Sequence, residues 1–281
     1  MSHMVHAPPA HRRIAADRLM PALFAAEPRF AALGLLLAFS MFPTALALLL
    51  DQRLLQAEPV WLKPLKFQLS LTVYLLSLAF FARFLPDAFL ARGSYRAFSV
   101  VVVLCVLAEM LWIGGAAMFG IASHYNAAHP LMAQIYGLMG LLAVILTSAS
   151  MVFAIVIWRD PRGLPDRALR LSMALGLGLT FVLTVIVAGY MAAQTGRLIG
   201  VPVTGARVPL MGWSREVGDL RLPHFLATHA MHVLPLAGLM AARGLPAEMA
   251  VRVVWLASAA FVLLTGACFV MALLGLPVFP L

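Results

Sequence analysis

The chain has 281 residues, 63% of them hydrophobic and only 11% charged, with a formal net charge of +9. A mean hydropathy of +0.97 excludes a water-soluble globular domain, and long apolar runs separated by short polar breaks exclude disorder. The basic balance does not point to nucleic acid, because the charges fall in alternate connections between apolar runs.

Residues 1–29 carry Arg12, Arg13, Arg18 and Arg29 and lack an apolar core followed by a small-residue cleavage site. They are expected to form an unprocessed cytoplasmic segment. A membrane-crossing helix needs about 20 apolar residues. Seven stretches qualify, at 30–50, 62–82, 97–122, 131–158, 171–195, 223–242 and 253–276. Their connections are short, so residues 30–281 are predicted to form a single all-α domain, a polytopic seven-transmembrane-helix bundle.

The N-terminal segment and the second, fourth and sixth connections hold 13 of the 20 basic residues, and the opposite side holds 7. Cytoplasmic loops carry the Lys/Arg excess, which predicts the N-terminus inside and the C-terminus outside. Gly176, Gly178 and Gly189 in the fifth span and the Gly114-Gly115-Ala116-Ala117 run in the third suit close helix packing. Cys105 and Cys268 fall at depths roughly 10 Å apart at 1.5 Å per residue, so no disulfide is expected.

The side predicted to face outward is richer in chemistry. It holds Trp61-Leu-Lys-Pro-Leu-Lys-Phe67, Ser123-His-Tyr-Asn126 and the segment from Gly212 to His224. Lys63 and Lys66 are the only lysines, and 7 basic residues on this side run against the topology rule. Such a surplus suggests that some are held by partners or ligands. The adjoining helix ends add Gln68, Ser70, Gln134, Tyr136, Tyr190 and Gln194, which by depth form a polar layer around an outward-open pocket.

His224, His229 and His232 lie in one apolar stretch whose helix is predicted to begin at Pro223. His229 and His232 share a helix face, about 60° apart around the axis. His229 is expected to reach a polar group of the second, third or fourth span. With His124, the three offer ligands for haem, zinc, copper or iron; the alternative is neutral imidazoles hydrogen-bonded across helices. Glu109, the only acidic residue inside any span, sits near the midplane. It suits a proton relay, a metal ligand or a general acid, and a structural hydrogen bond is the plainer alternative. By depth it is nearly level with His232, so a carboxylate–imidazole pair forms if their helices face each other. Asp219 and Arg221 suit acid catalysis and anion capture, against which stands a loop-bracing ion pair. Lys63, Lys66 and Asn126 complete the candidate binding residues.

The runs WLKPLKFQLS from Trp61, SHYN from Ser123 and GWSREVGDLRLPHFLATH from Gly212 resemble a group of uncharacterised bacterial seven-helix membrane proteins. That group shares Lys-Pro-x-Lys-Phe, Ser-His-x-Asn and Gly-Asp-Leu-Arg-x-x-His-Phe stretches. The resemblance spans the second to sixth helices and implies one common site in a bacterial inner membrane protein, without naming a chemistry. Where this chain has Gln194 and His232 the group has His and Gln, which counts against His232 as an essential ligand.

Three functions follow as expectations. The first is a redox-active haem- or metal-binding membrane protein using His124, His224, His229 and His232. The second is a proton-coupled small-molecule transporter using Glu109. The third is a membrane enzyme using Glu109 or Asp219 as acid on a lipid or isoprenoid. Expected partners are the lipid bilayer and a small-molecule or ion ligand, with no nucleic acid; no oligomeric state follows from the residues.

Overall fold

The computed structural model describes residues 19–126, 129–160, 163–164 and 166–280. The expected cytoplasmic segment is therefore described only from Leu19 onward, and Arg12, Arg13, Arg18 and Arg162 lie outside the described residues. A short α1 (Leu19–Ala26) precedes α2 (Pro28–Leu50), a small hairpin of β1 (Leu54–Leu55) and β2 (Glu58–Pro59), then α3 (Leu62–Ala82) and one turn, α4 (Asp87–Leu90). The chain continues as α5 (Gly93–Phe119), α6 (Pro130–Arg159) and α7 (Arg167–Ala192). It ends with β3 (Leu198–Ile199), β4 (Gly218–Asp219), α8 (Arg221–Gly244) and α9 (Ala247–Leu273).

Among the described residues seven helices, α2, α3, α5, α6, α7, α8 and α9, are long and apolar enough to cross a membrane. The chain is thus an all-α, multi-pass, membrane-protein-like bundle. Helices are the form such sequence takes because hydrocarbon offers no partner to an unpaired peptide group.

Element ends follow local chemistry. Pro28 and Pro130 open α2 and α6, where a missing N–H costs nothing. The Asp166 carboxylate accepts from Leu169 N at 2.8 Å and starts α7 four residues before the apolar run at 171. Gly120, at φ 68°, ends α5 in the left-handed conformation. The helix expected to start at Pro223 starts at Arg221; Pro223 still falls in the first turn, where backbone N–H groups have no intrahelical partner.

Two helices organise the bundle. α3 packs against α1, α2 and α5, and α7 packs against α6, α8 and α9. The α7–α8 contact is the closest. A Cβ on Gly176 would lie 2.9 Å from Ala230 O, and one on Gly238 would lie 2.0 Å from Ser172 Oγ. The packing role expected for Gly176 thus holds, and Gly178 meets Ala154 at 3.6 Å. In the run at 114–117 it holds for the buried Ala116 and Ala117 and not for Gly114 or Gly115; a Cβ added at either of these, or at Gly189, would meet nothing within 4 Å. The reason is directional: a small residue brings helices together only on the face that meets a neighbour. The largest apolar core joins α1, α2, α3, α5, α6 and α7 around Phe30, Leu75, Leu78, Val102 and Phe153.

The two ends of the bundle differ. At the arginine-rich end, buried Glu27 accepts from the Tyr95 hydroxyl and from Arg29 at 3.3 Å. At the other end the hairpins form a cap. Arg53 grips Asp51 and donates to Met118 O at 3.0 Å, tying β1 to the end of α5. Glu216 gathers the Val203, Thr204 and Ala206 amides, which hold its carboxyl down at about 2.

The β3–β4 pair seats on α9. A Cβ at Gly218 would lie 2.1 Å from Ala272 O, a backbone atom that cannot swing aside. Gly218→Ala is therefore expected to destabilise the protein by well over the ~1 kcal/mol of an average substitution. Thermal unfolding in detergent measures this; a wild-type melting temperature would mean that the hairpin is not seated on α9.

Candidate functional site

The hairpin end assembles most of the expected residues, in an arrangement that differs from the expected one. Five basic side chains, Lys63, Lys66, Arg197, Arg207 and Arg221, are linked electrostatically around two carboxylates, Glu58 and Asp219. Glu58 Oε1 accepts from Arg197 at 2.8 Å and from Arg207 at 2.6 Å. Asp219 holds Arg221 through both oxygens, at 2.9 Å and 2.6 Å, and also accepts from the Ser214 amide. Burial and the neighbouring Arg221 push the Arg197 guanidinium below its ordinary value, and Glu58 opposes them.

The two lysines stand outside these pairs. Among the described residues Lys66 donates only to Met211 O, at 3.5 Å, and Lys63 forms no ion pair within 4 Å. The Lys63 ammonium lies 6.0 Å from the centre of the Phe67 ring and within electrostatic range of Glu109.

Below this cluster, Glu109 is only 4% exposed, and its Oε1 has no hydrogen-bond partner. The expected pair with His232 does not form. Glu109 answers to Lys63, while His232 Nε2 meets Ser77 Oγ at 2.9 Å and its Nδ1 is buried without a partner. Depth sets the two residues level, but α5 packs on α2, α3 and α6 while α8 packs on α7 and α9, so the side chains meet different neighbours. Buried polar atoms without partners are rare enough in native proteins to mark a place where something else binds or a proton moves.

The histidines divide into two groups. His124 sits between Phe67 and Tyr136, at ring distances of 5.6 Å and 5.7 Å, with Nδ1 3.1 Å from Ser123 Oγ. On α8, His229 stacks on Phe225 at 4.0 Å and lies 5.4 Å from the His232 ring. Its Nδ1 is 2.7 Å from Phe225 O, and a carbonyl only accepts, so Nδ1 carries the proton and Nε2 is left open. The cross-helix contact expected of His229 is thus made by His232 to α3. His224 lies within electrostatic range of His229. Among the described residues no three of His, Cys, Asp and Glu converge on a point where a metal ion would sit, and the four expected ligands do not form one set.

Other expectations also move. Asn126 Nδ2 donates to Ala122 O at 3.1 Å and braces its own turn. Gln68 is buried between α2 and α3, donating to Ser40 and Thr44, while Ser70, Gln134 and Tyr190 are exposed. The polar layer inferred from depth is therefore not one surface. Cys105 and Cys268 are both free, as expected. Glu58 and Ser77 do not stand out in the sequence. The signal available for Glu58 was charge balance: a cluster of Arg on the side where Arg is rare calls for a carboxylate.

Burial, reinforced by the charge on Lys63, pushes the His124 imidazole down to about 3. Folded His124 stays neutral where an unfolded chain protonates it, near 6.5. The folded-state pKa lies below the unfolded one, so this contribution to stability is full above pH 6.5 and is lost as pH falls toward 3. His124→Gln is expected to flatten that part of the melting-temperature profile; an unchanged profile would place the ring in water.

Compared with family models, curated proteins and solved structures, the chain matches none.

Proposed function

We propose that the protein is a proton-linked membrane carrier for a small anion, which enters at the hairpin end and engages Lys63 and Lys66. The observation that carries this reading is the charge imbalance: five linked basic groups face Glu58, Asp219 and, through Lys63, Glu109, and among the described residues neither lysine forms an ion pair within 4 Å. Keeping such a cluster together in a half-buried place is unfavourable unless an anion joins it. Glu109, coupled to Lys63 and holding an open oxygen, is the group that takes and releases the proton. Asp219 has both oxygens committed to Arg221, which leaves it the bracing role rather than that of an acid.

In this reading the arginine-rich end faces the cytoplasm, the N-terminus is inside and the hairpin end faces outward, in a bacterial inner membrane. A mononuclear metal site has less support, because one histidine pair falls short of the three or four protein ligands such an ion takes.

The test is thermal unfolding of the purified protein with inorganic phosphate, with succinate and with tetraethylammonium as a cationic control. At least one anion is expected to raise the melting temperature and the cation is not. Lys63→Gln or Lys66→Gln is expected to weaken the anion effect about tenfold, the size of one lost charged hydrogen bond. Equal responses to all three solutes would sink the proposal. A Soret band, or one metal ion per chain, would transfer the function to a haem or metal site.

A further inference from the structure

At the arginine-rich end, the last turn of α6 and the first turns of α7 and α9 leave a shallow cleft of about 170 Å³, open along one side. Trp158, Arg167, Arg170, Leu171, Val251 and Trp255 line it. None of these residues belongs to the cluster at the hairpin end, so what binds here is independent of the carrier reading.

The lining combines two chemistries. Trp158, in the last turn of α6, and Trp255, in the third turn of α9, are 56% and 50% exposed, within the depth where indoles sit between lipid headgroups and acyl chains. Arg167 pairs with Glu248 at 3.1 Å, but their side chains are 64% and 74% exposed. Such a solvent-exposed pair contributes little and exchanges readily for a better anion. Arg170 donates to Leu164 O at 3.2 Å, which anchors its guanidinium at the cleft wall. Guanidinium groups match the oxygens of a phosphate through parallel N–H donors. Beyond the cleft, exposed Ile155, Met249 and Leu256 continue the apolar surface along α6 and α9.

We infer that this cleft binds an anionic phospholipid, with Arg167 and Arg170 on the phosphate and Trp158 and Trp255 against the glycerol and upper acyl chains. The apolar continuation favours a lipid over free phosphate, since a soluble anion gains nothing from that surface. A basic residue beside an anionic headgroup is worth about a fivefold gain in binding, so two predict a preference of roughly twenty-fold over a zwitterionic lipid.

The test is native mass spectrometry of the full chain in neutral detergent, with phosphatidylglycerol, phosphatidylcholine or inorganic phosphate added. Phosphatidylglycerol is expected to be retained about twenty-fold better than phosphatidylcholine, and millimolar phosphate is not expected to displace it. The double variant Arg167→Gln, Arg170→Gln should lower its retention to the phosphatidylcholine level. Equal retention of the two lipids, displacement by inorganic phosphate, or undiminished retention in that variant would each overturn the inference. If the double variant does not fold, Trp255→Leu replaces it: with both arginines in place, weaker retention supports this cleft and unchanged retention rejects it.

Discussion

Replacing Glu109 by Gln is expected to lower proton-linked uptake into proteoliposomes by about 100-fold or more, the range lost when a positioned proton-transfer group is removed. The bundle should remain intact. Gln keeps the shape and one oxygen acceptor, and the buried Oε1 has no protein partner to lose. What Gln cannot do is bind and release a proton beside Lys63. Anion-dependent stabilisation should survive in this variant, because the Lys63 and Lys66 charges remain. That separates loss of coupling from loss of binding. Wild-type uptake with an unchanged pH dependence would reduce Glu109 to a packing residue.

Asp219→Ala is expected to cost about 3–5 kcal/mol, the range for removing one partner of a buried ion pair. Asp219 is 6% exposed and receives the Arg221 guanidinium and the Ser214 and Arg221 amides. Its loss frees Arg221 next to Arg197 and Lys66, so like-charge repulsion adds to the broken hydrogen bonds. The melting temperature in detergent should fall by about 10 °C. Asp219→Asn, which keeps an acceptor for Ser214 N, should fall between that variant and wild type. An Asp219→Ala protein that melts with wild type would show the pair to be an exposed contact of little value. Both outcomes bear on the site, since the same pair sets the start of α8 and thereby the height of His229 and His232.

The seven helices long and apolar enough to cross a membrane, among the described residues, were legible in the sequence alone, because length and apolarity need no partner element. The same holds for the chemical asymmetry of the two ends, written in where Arg, Lys, His and Asp occur. Helix rotation was decided only by the tertiary structure. Depth can be counted at 1.5 Å per residue, but the face a residue presents depends on which neighbour its helix packs against. Glu109 on α5, which packs on α2, α3 and α6, and His232 on α8, which packs on α7 and α9, are level in depth yet do not meet, and a Cβ at Gly176 would meet a neighbour where one at Gly189 would not. The same dependence explains why Ser70, Gln134 and Tyr190 left a polar layer to which their depth assigned them. Charge pairing across the cap was equally beyond local pattern: Glu58 meets Arg197 and Arg207 from 139 and 149 residues away, through folding of the loops over one another. Residue type and depth are properties of the chain, whereas orientation and pairing are properties of the packed bundle.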